Sequence, residues 1–268
     1  MSPLMALLLG IVEGLTEYLP VSSTGHLILV GKLLGAEGEG AKAFEIVIQL
    51  GAVLAVVVEY RRLLSERVTG LFTGKPESKA LLLALTIAFL PAAVLGVAFH
   101  KIIKQYLFGT VPVAAALIVG GIVMIAVERI RRSRGVVGVT GLEHVTPKRA
   151  LAIGLGQCVS MWPGSSRSMC TIVAGQLTGL STATAAEFSF LLALPTLGVA
   201  TIYEGFKARH ELGLGVGVQS LAIGLVVSFF VAWGVIAMFI RYLQRRGLEP
   251  FGYYRIVLGA VVFWVLAR

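Results

Sequence analysis

Apolar and polar stretches alternate along the chain with two different lengths. Residues 4–12 form an apolar run too short to cross a bilayer, which takes roughly 20 helical residues. The run leads into a dense polar stretch, 13–26, reading EGLTEYLPVSSTGH, where Pro20 interrupts any helix. A second short apolar piece covers about 26–35, and 35–42 reads as a loop. Two half-length segments joined by a polar turn predict a re-entrant helical hairpin. Full spans follow at about 44–60, 80–99 and 111–130, separated by basic loops. The short pattern then returns: 150–162 is apolar, 162–168 (WPGSSRS) is a polar turn, and 169–180 is apolar again. Three more spans close the sequence, at about 186–203, 216–240 and 252–267.

The order is hairpin, three spans, hairpin, three spans, which predicts an internal repeat of about 1–130 and 148–268 within one membrane domain. LPVSST (19–24) aligns with WPGSSR (162–167) at an offset of 143, matching Pro20 to Pro163, Ser22 to Ser165 and Ser23 to Ser166. AFEIVIQLGAVL (43–54) resembles AAEFSFLLALPTL (185–197), with Glu45 opposite Glu187. A three-span unit inverts its second copy, so the two polar tips enter from opposite sides and meet near the midplane. The fold class expected is all-α, a polytopic integral membrane protein with six full spans and two re-entrant hairpins.

Composition agrees. Hydrophobic residues make up 57% of the chain and charged residues 14%, against about 25% charged in a soluble domain. No alternating ten-residue segments of the kind a barrel needs occur. The net charge of +9 is a matter of topology rather than of nucleic acid, because Lys and Arg gather in short loops. Loops 61–79, 129–149 and 241–251 together with Arg255 carry 15 of them. The other side has 7: Lys32, Lys42, Lys101, Lys104, Lys207, Arg209 and Arg268. The richer side is then cytoplasmic and both termini face outward. Cys158 and Cys170 give no disulfide framework, every acid is Glu, and no removable signal peptide is recognised at the N-terminus.

The chemistry lies in the two tips. Glu13 and Glu17, spaced i, i+4, share one face of a helix. Two carboxylates together in low dielectric call for a bridging cation, and Mg²⁺ or Ca²⁺ suits oxygen ligands; a solvated helix end is the plainer alternative. Ser22, Ser23, Thr24 and Gly25 open a helix after Pro20, where a hydroxyl caps and backbone N–H groups face an anion. Gly164, Ser165, Ser166 and Ser168 do the same in the second tip, and Arg167 adds a fork suited to phosphate, unless it only pairs with a glutamate. His26 lies within one turn of Ser23 and is a candidate acid–base group. Tyr18 and Trp162 read as packing or interfacial belt. Glu45 and Glu187 are candidate supports for the tips. A carboxylate pair, hydroxyls, a histidine and an anion cradle within a bilayer point to a phosphorylated lipid, and a diphosphate fits best.

At these residues the sequence resembles the undecaprenyl-diphosphate phosphatase, or bacitracin resistance protein, family. The stretch 13–26 resembles its first signature. The second, PGxSRSxxT, is matched by Pro163, Gly164, Ser166, Arg167, Ser168 and Thr171. The likeness extends over essentially the whole chain. It implies hydrolysis of undecaprenyl diphosphate to undecaprenyl phosphate and inorganic phosphate in the bacterial plasma membrane, with the site open to the outer side. It further implies a divalent metal on Glu13 and Glu17, and catalytic roles for Glu17, Ser23, His26 and Arg167. The partners expected are the polyprenyl diphosphate and membrane lipids, without nucleic acid; a homodimer is left open.

Two mechanisms stay open at this level. In one, Ser23 attacks phosphorus while Glu17 or His26 takes its proton; in the other, water attacks and Ser23 only positions. A lipid flippase is the alternative of a different class, because inverted repeats with broken helices are transporter architecture. An acid-phosphatase-like lipid phosphatase does not fit: the chain has no Asp, and the only His after Arg167 is His210.

Overall fold

The computed structural model describes residues 1–36, 38–107, 109–209 and 212–266. Among these, eleven α-helices form and no strand does; Val139 and Leu180 make one isolated backbone bridge. His210 and Arg268 lie outside the described residues, as do the side chains of Lys101 and Lys104.

The first hairpin is α1 (Pro3–Thr16) and α2 (Ser23–Leu34). Ser2 starts α1 by accepting the Met5 N–H at 3.2 Å, with Pro3 at the first helical position. The helix outruns the apolar stretch 4–12 and carries Glu13, because nothing before Pro20 breaks it. Gly35, in the left-handed conformation at φ 67°, ends α2. The second hairpin is α7 (Pro147–Val159) and α8 (Arg167–Leu177), and α7 opens the same way, with Thr146 as cap and Pro147 next. All four helices are 11 to 14 residues long. At about 1.5 Å per residue they reach only part-way through a hydrocarbon layer of roughly 30 Å.

The long helices are α3 (Glu39–Glu59), α5 (Pro76–Tyr106), α6 (Thr110–Ser133), α9 (Thr182–Lys207), α10 (Val218–Leu243) and α11 (Glu249–Leu266). Among the described residues, five of them are long and apolar enough to cross a membrane; these are α3, the 76–99 part of α5, α6, α9 and α10. The sixth expected span, 252–267, falls on α11, and its final residue lies outside the described ones.

Two expected loops are wrong in part. The basic segment 61–79 is mostly a helix, α4 (Arg61–Phe72). Leu63, Leu64, Arg67 and Leu71 share its half-buried face, and no Gly or Pro interrupts it before Gly70. Its arginines drew attention to charge and hid the helical period. Likewise α3 begins at Glu39, inside the loop expected at 35–42.

Packing brings the hairpins into the bundle. α1 lies on α10, α10 on α3, and α3 on α9; α5 covers α7, and α6 pairs with α11. Gly10 and Gly14, one turn apart, let α1 press onto α10: a Cβ on Gly14 would stand 2.7 Å from Val231 Cβ and 2.8 Å from Ser228 O. Small residues allow such approach where lipid gives no hydrophobic drive between helices. The largest buried cluster gathers Tyr18, Phe188, Phe190 and Leu191 around the tips. Large apolar side chains such as Val97 and Phe263 stand exposed on the outside, the surface that hydrocarbon solvates. We predict that Gly14→Leu overpacks this seam by about 1–3 kcal/mol, lowering the melting temperature in detergent by roughly 2–10 °C. An unchanged melting temperature would mean that α1 does not depend on the close approach.

Candidate active site

Each tip turns on a serine in a conformation that serine seldom adopts. Ser22 has φ 71° and Ser166 φ 72°, the only non-glycine residues with positive φ among those described. Both cap the helix that follows: Ser22 Oγ accepts the Gly25 N–H and Ser166 Oγ the Met169 N–H, each at 3.3 Å. The matching position is therefore Ser22 with Ser166, not Ser22 with Ser165. One extra residue lies between Pro163 and its cap; Gly164 occupies that stretch at φ 95°, where a Cβ would stand 2.5 Å from Val113 O. The first helical residues are then Ser23 in α2 and Arg167 in α8.

Those two residues meet on one carboxylate. Ser23 Oγ donates to Glu17 Oε2 at 2.7 Å, and Arg167 Nη2 reaches Glu17 Oε1 at 3.2 Å. The side chains of Arg167 and Glu17 are only 7% and 6% exposed, so this is a buried ion pair. Glu17 is the C-cap of α1 and keeps its N–H on the Glu13 carbonyl, which places both acids on one helical face. Glu13 is wholly buried, and neither of its carboxylate oxygens has a hydrogen-bond partner.

Arg167 is held from behind. Its Nη1 donates to Ser189 O at 2.8 Å and to Ser189 Oγ at 3.2 Å. Thr171 Oγ1 lies 2.7 Å from the same Ser189 Oγ and donates to Arg167 O at 2.8 Å. The guanidinium lies 5.6 Å from the Tyr18 ring centre, and Tyr18 donates its hydroxyl to Ala52 O at 2.8 Å. Tyr18 is thus core packing beneath the site, not an interfacial belt residue. Arg167 Nε is buried and unpartnered. Ser168 Oγ donates across to Leu19 O at 3.0 Å, so the tips touch directly.

His26 is placed differently. Its Nδ1 stands 2.8 Å from Ser22 O and its Nε2 2.7 Å from the Tyr254 hydroxyl, with the two rings stacked at 5.6 Å. A carbonyl only accepts, so Nδ1 carries a proton, and when the ring is neutral Nε2 accepts from the Tyr254 hydroxyl. Ser23 is the partner of neither nitrogen. Thr24 is half-buried at the second position of α2; Gly25 is buried, and a Cβ there would stand 3.2 Å from Leu117 Cδ1; Ser165 is buried in the second turn. Glu45 lines a separate cavity of about 310 Å³ with Gly31, Lys32 and Lys42 rather than bonding either tip. Trp162 is half-buried and donates to Pro112 O at 3.0 Å.

Arg255 is a correction. Counted by sequence with a cytoplasmic loop, it is fully buried in α11. Its Nη1 donates to Pro20 O at 3.1 Å; its Nη2 donates to Gly164 O at 3.0 Å and Ala116 O at 3.1 Å; its Nε donates to Leu117 O at 3.4 Å. Pro20 and Gly164 each stand two residues before a capping serine. A charge inside the apolar stretch 252–267 was the signal available for it. Ser189 and Tyr254 carried no such mark.

Residues 6–261 match the family described as Bacitracin resistance protein BacA. The chain belongs to this family. Among members, the Undecaprenyl-diphosphatase of Sorangium cellulosum (strain So ce56) is 62% identical over 261 residues, covering 97% of this chain and 85% of that protein. The Undecaprenyl-diphosphatase of Thermoanaerobacter pseudethanolicus (strain ATCC 33223 / 39E) is 46% identical over 268 residues, with 98% and 96% covered. That of Albidiferax ferrireducens (strain ATCC BAA-621 / DSM 15236 / T118) is 46% identical over 258 residues, with 96% and 92% covered. In this member of the family, the buried Glu17–Arg167 pair fastens the two tips. Arg167→Met alone leaves Glu17 uncompensated and costs about 3–5 kcal/mol. We predict that adding Glu17→Gln to Arg167→Met recovers much of the melting temperature, measured as a double-mutant cycle. Additive losses would mean the pair carries no coupling.

Proposed function

We propose that the protein is an undecaprenyl-diphosphatase: it hydrolyses undecaprenyl diphosphate to undecaprenyl phosphate and inorganic phosphate and so gives bacitracin resistance. The observation that carries this reading is the single carboxylate, Glu17, that holds a hydroxyl from one tip and a guanidinium from the other. A nucleophile, its base and a phosphate-binding cation are thereby within reach of one reacting atom.

In the proposed reaction the terminal phosphate lies between the tips. Arg167, with its free Nε, and the backbone N–H groups of α2 and α8 bind its oxygens. Ser23 Oγ forms a bond to the terminal phosphorus, its proton passes to Glu17 Oε2, and the anhydride bond breaks to release undecaprenyl phosphate. Water then attacks the phosphoserine: as the bond from phosphorus to Ser23 Oγ breaks, Glu17 returns its proton to Ser23 Oγ, and the carboxylate so freed takes the proton of the attacking water as phosphate leaves. The 2.7 Å hydrogen bond supports Glu17 over His26 as the base.

The residues fit a hard divalent cation. Glu13 offers two buried, unpartnered oxygens beside Glu17, and Mg²⁺ and Ca²⁺ favour such ligands. Among the described residues no cluster of three or more His, Cys or Glu is available, so substrate and water oxygens would complete the shell. When bound, the ion supplies charge neutralisation to the diphosphate.

The membrane arrangement is part of the proposal: two inverted repeats, six spans, termini outward and the site open to the outer leaflet. Its support is the clustering of arginines at the ends of α4, α6 and α10, which the reassignment of Arg255 leaves intact. Both tips come from one chain, so the site requires no second copy.

The test is phosphate release from undecaprenyl diphosphate by purified protein, with and without EDTA. We expect release that EDTA abolishes, that Arg167→Ala lowers by about 10²–10³-fold, and a phosphoenzyme trapped by rapid quench in the parent but absent from Ser23→Ala. Release unaffected by EDTA would remove the metal role of Glu13 and Glu17. Clean turnover by Ser23→Ala would make water the nucleophile. Transbilayer lipid movement without phosphate release would make the protein a flippase.

A further inference from the structure

We propose that Arg255 is a positioning residue whose positive charge, acting from behind both tips, makes the site select a diphosphate over a monophosphate. This rests on the reading that the tips bind phosphate. The guanidinium is 0% exposed and its four hydrogen bonds all end on neutral backbone carbonyls. Among the described residues no carboxylate pairs with it. A buried charge left without a counter-charge is costly. A clamp alone needs donors and not a charge; a neutral side chain could bond carbonyls just as well.

The geometry gives the charge a use. Arg255 grips the carbonyl two residues ahead of each cap, at Pro20 and at Gly164, and so stands at the back of both helix N-termini. Those N-termini and Arg255 present positive potential to the same gap. Glu17 already neutralises Arg167. Among the described residues Arg255 is thus a cation of the site that no carboxylate pairs with directly, as Glu13 is an acid that no cation pairs with, and an arriving anion supplies Arg255 with a counter-charge. Space for it is built in: a Cβ at Gly120 would strike the guanidinium. The more negative the ligand, the more it gains in a low-dielectric site.

The experiment measures binding of methylenediphosphonate and of orthophosphate to the full chain in nanodiscs by calorimetry, for the parent, Arg255→Gln and Arg255→Lys. Arg255→Gln should weaken the diphosphonate about tenfold more than orthophosphate. Arg255→Lys, which keeps the charge and loses the fork, should retain the parent's ratio of the two affinities. Equal weakening of both ligands by Arg255→Gln would reduce Arg255 to a clamp, and unchanged binding of both would remove it from the site. Should Arg255→Gln not accumulate folded, the lysine variant decides alone: loss of the ratio there overturns the proposal. Phosphate release from the lipid is read in the same parent preparation. Its absence would overturn the phosphatase reading while the affinity ratio still reports on Arg255.

Discussion

One carboxylate closes the site. Glu17 accepts the hydroxyl of Ser23 and the guanidinium of Arg167, and these come from hairpins more than a hundred residues apart in sequence. In water such an ion pair would be worth little. Buried, it must be completed or not formed at all, because either partner alone is an uncompensated charge. The rest of the molecule can be understood as what brings that carboxylate and that guanidinium together. Gly10 and Gly14 seat α1 on α10; the capping serines aim α2 and α8; Ser189 and Tyr18 hold the arginine in place.

Much of this was legible from the order of residues alone. Apolar runs of two lengths marked short and long helices, and Pro20 and Pro163 marked the turns. The residues that meet at the tips, Glu17, Ser23 and Arg167, were conspicuous as polar groups in apolar surroundings. What stayed hidden depended on three-dimensional register. An alignment by residue type matched Ser22 with Ser165, while the backbone matches Ser22 with Ser166, because only φ reveals which serine turns the chain. Counting charges added Arg255 to the loops of the cytoplasmic side, since the count sees a cation and not the carbonyls around it. Helix α4 was masked for the same reason. His26 stands near Ser23 in sequence, yet its ring turns to Tyr254 and the Ser22 carbonyl, a choice set by a helix more than two hundred residues away.

Polar groups in this interior follow two rules. Most are saturated: Tyr18 by Ala52, Thr171 by Ser189, Trp162 by Pro112. Others are not, single atoms such as Ser78 Oγ and Ser228 Oγ among them; at the tips they are both oxygens of Glu13 and the Nε of Arg167. Buried polar atoms without partners are rare in native proteins, and where they cluster they mark places that expect another molecule. An unpaired acid and an unpaired donor on opposite tips describe the outline of something both anionic and able to share a cation.

The two hairpins share a backbone turn but not its chemistry. At the residue after the cap, one carries a hydroxyl and the other a guanidinium. The first hairpin, 3–34, has no arginine, and the second, 147–177, has no glutamate. A symmetric assembly of two identical halves could therefore not build this centre. Two copies of the first would set carboxylate against carboxylate, and two of the second would set guanidinium against guanidinium. Joining unlike halves in one polypeptide fixes their ratio at one to one, which free halves would have to find by collision.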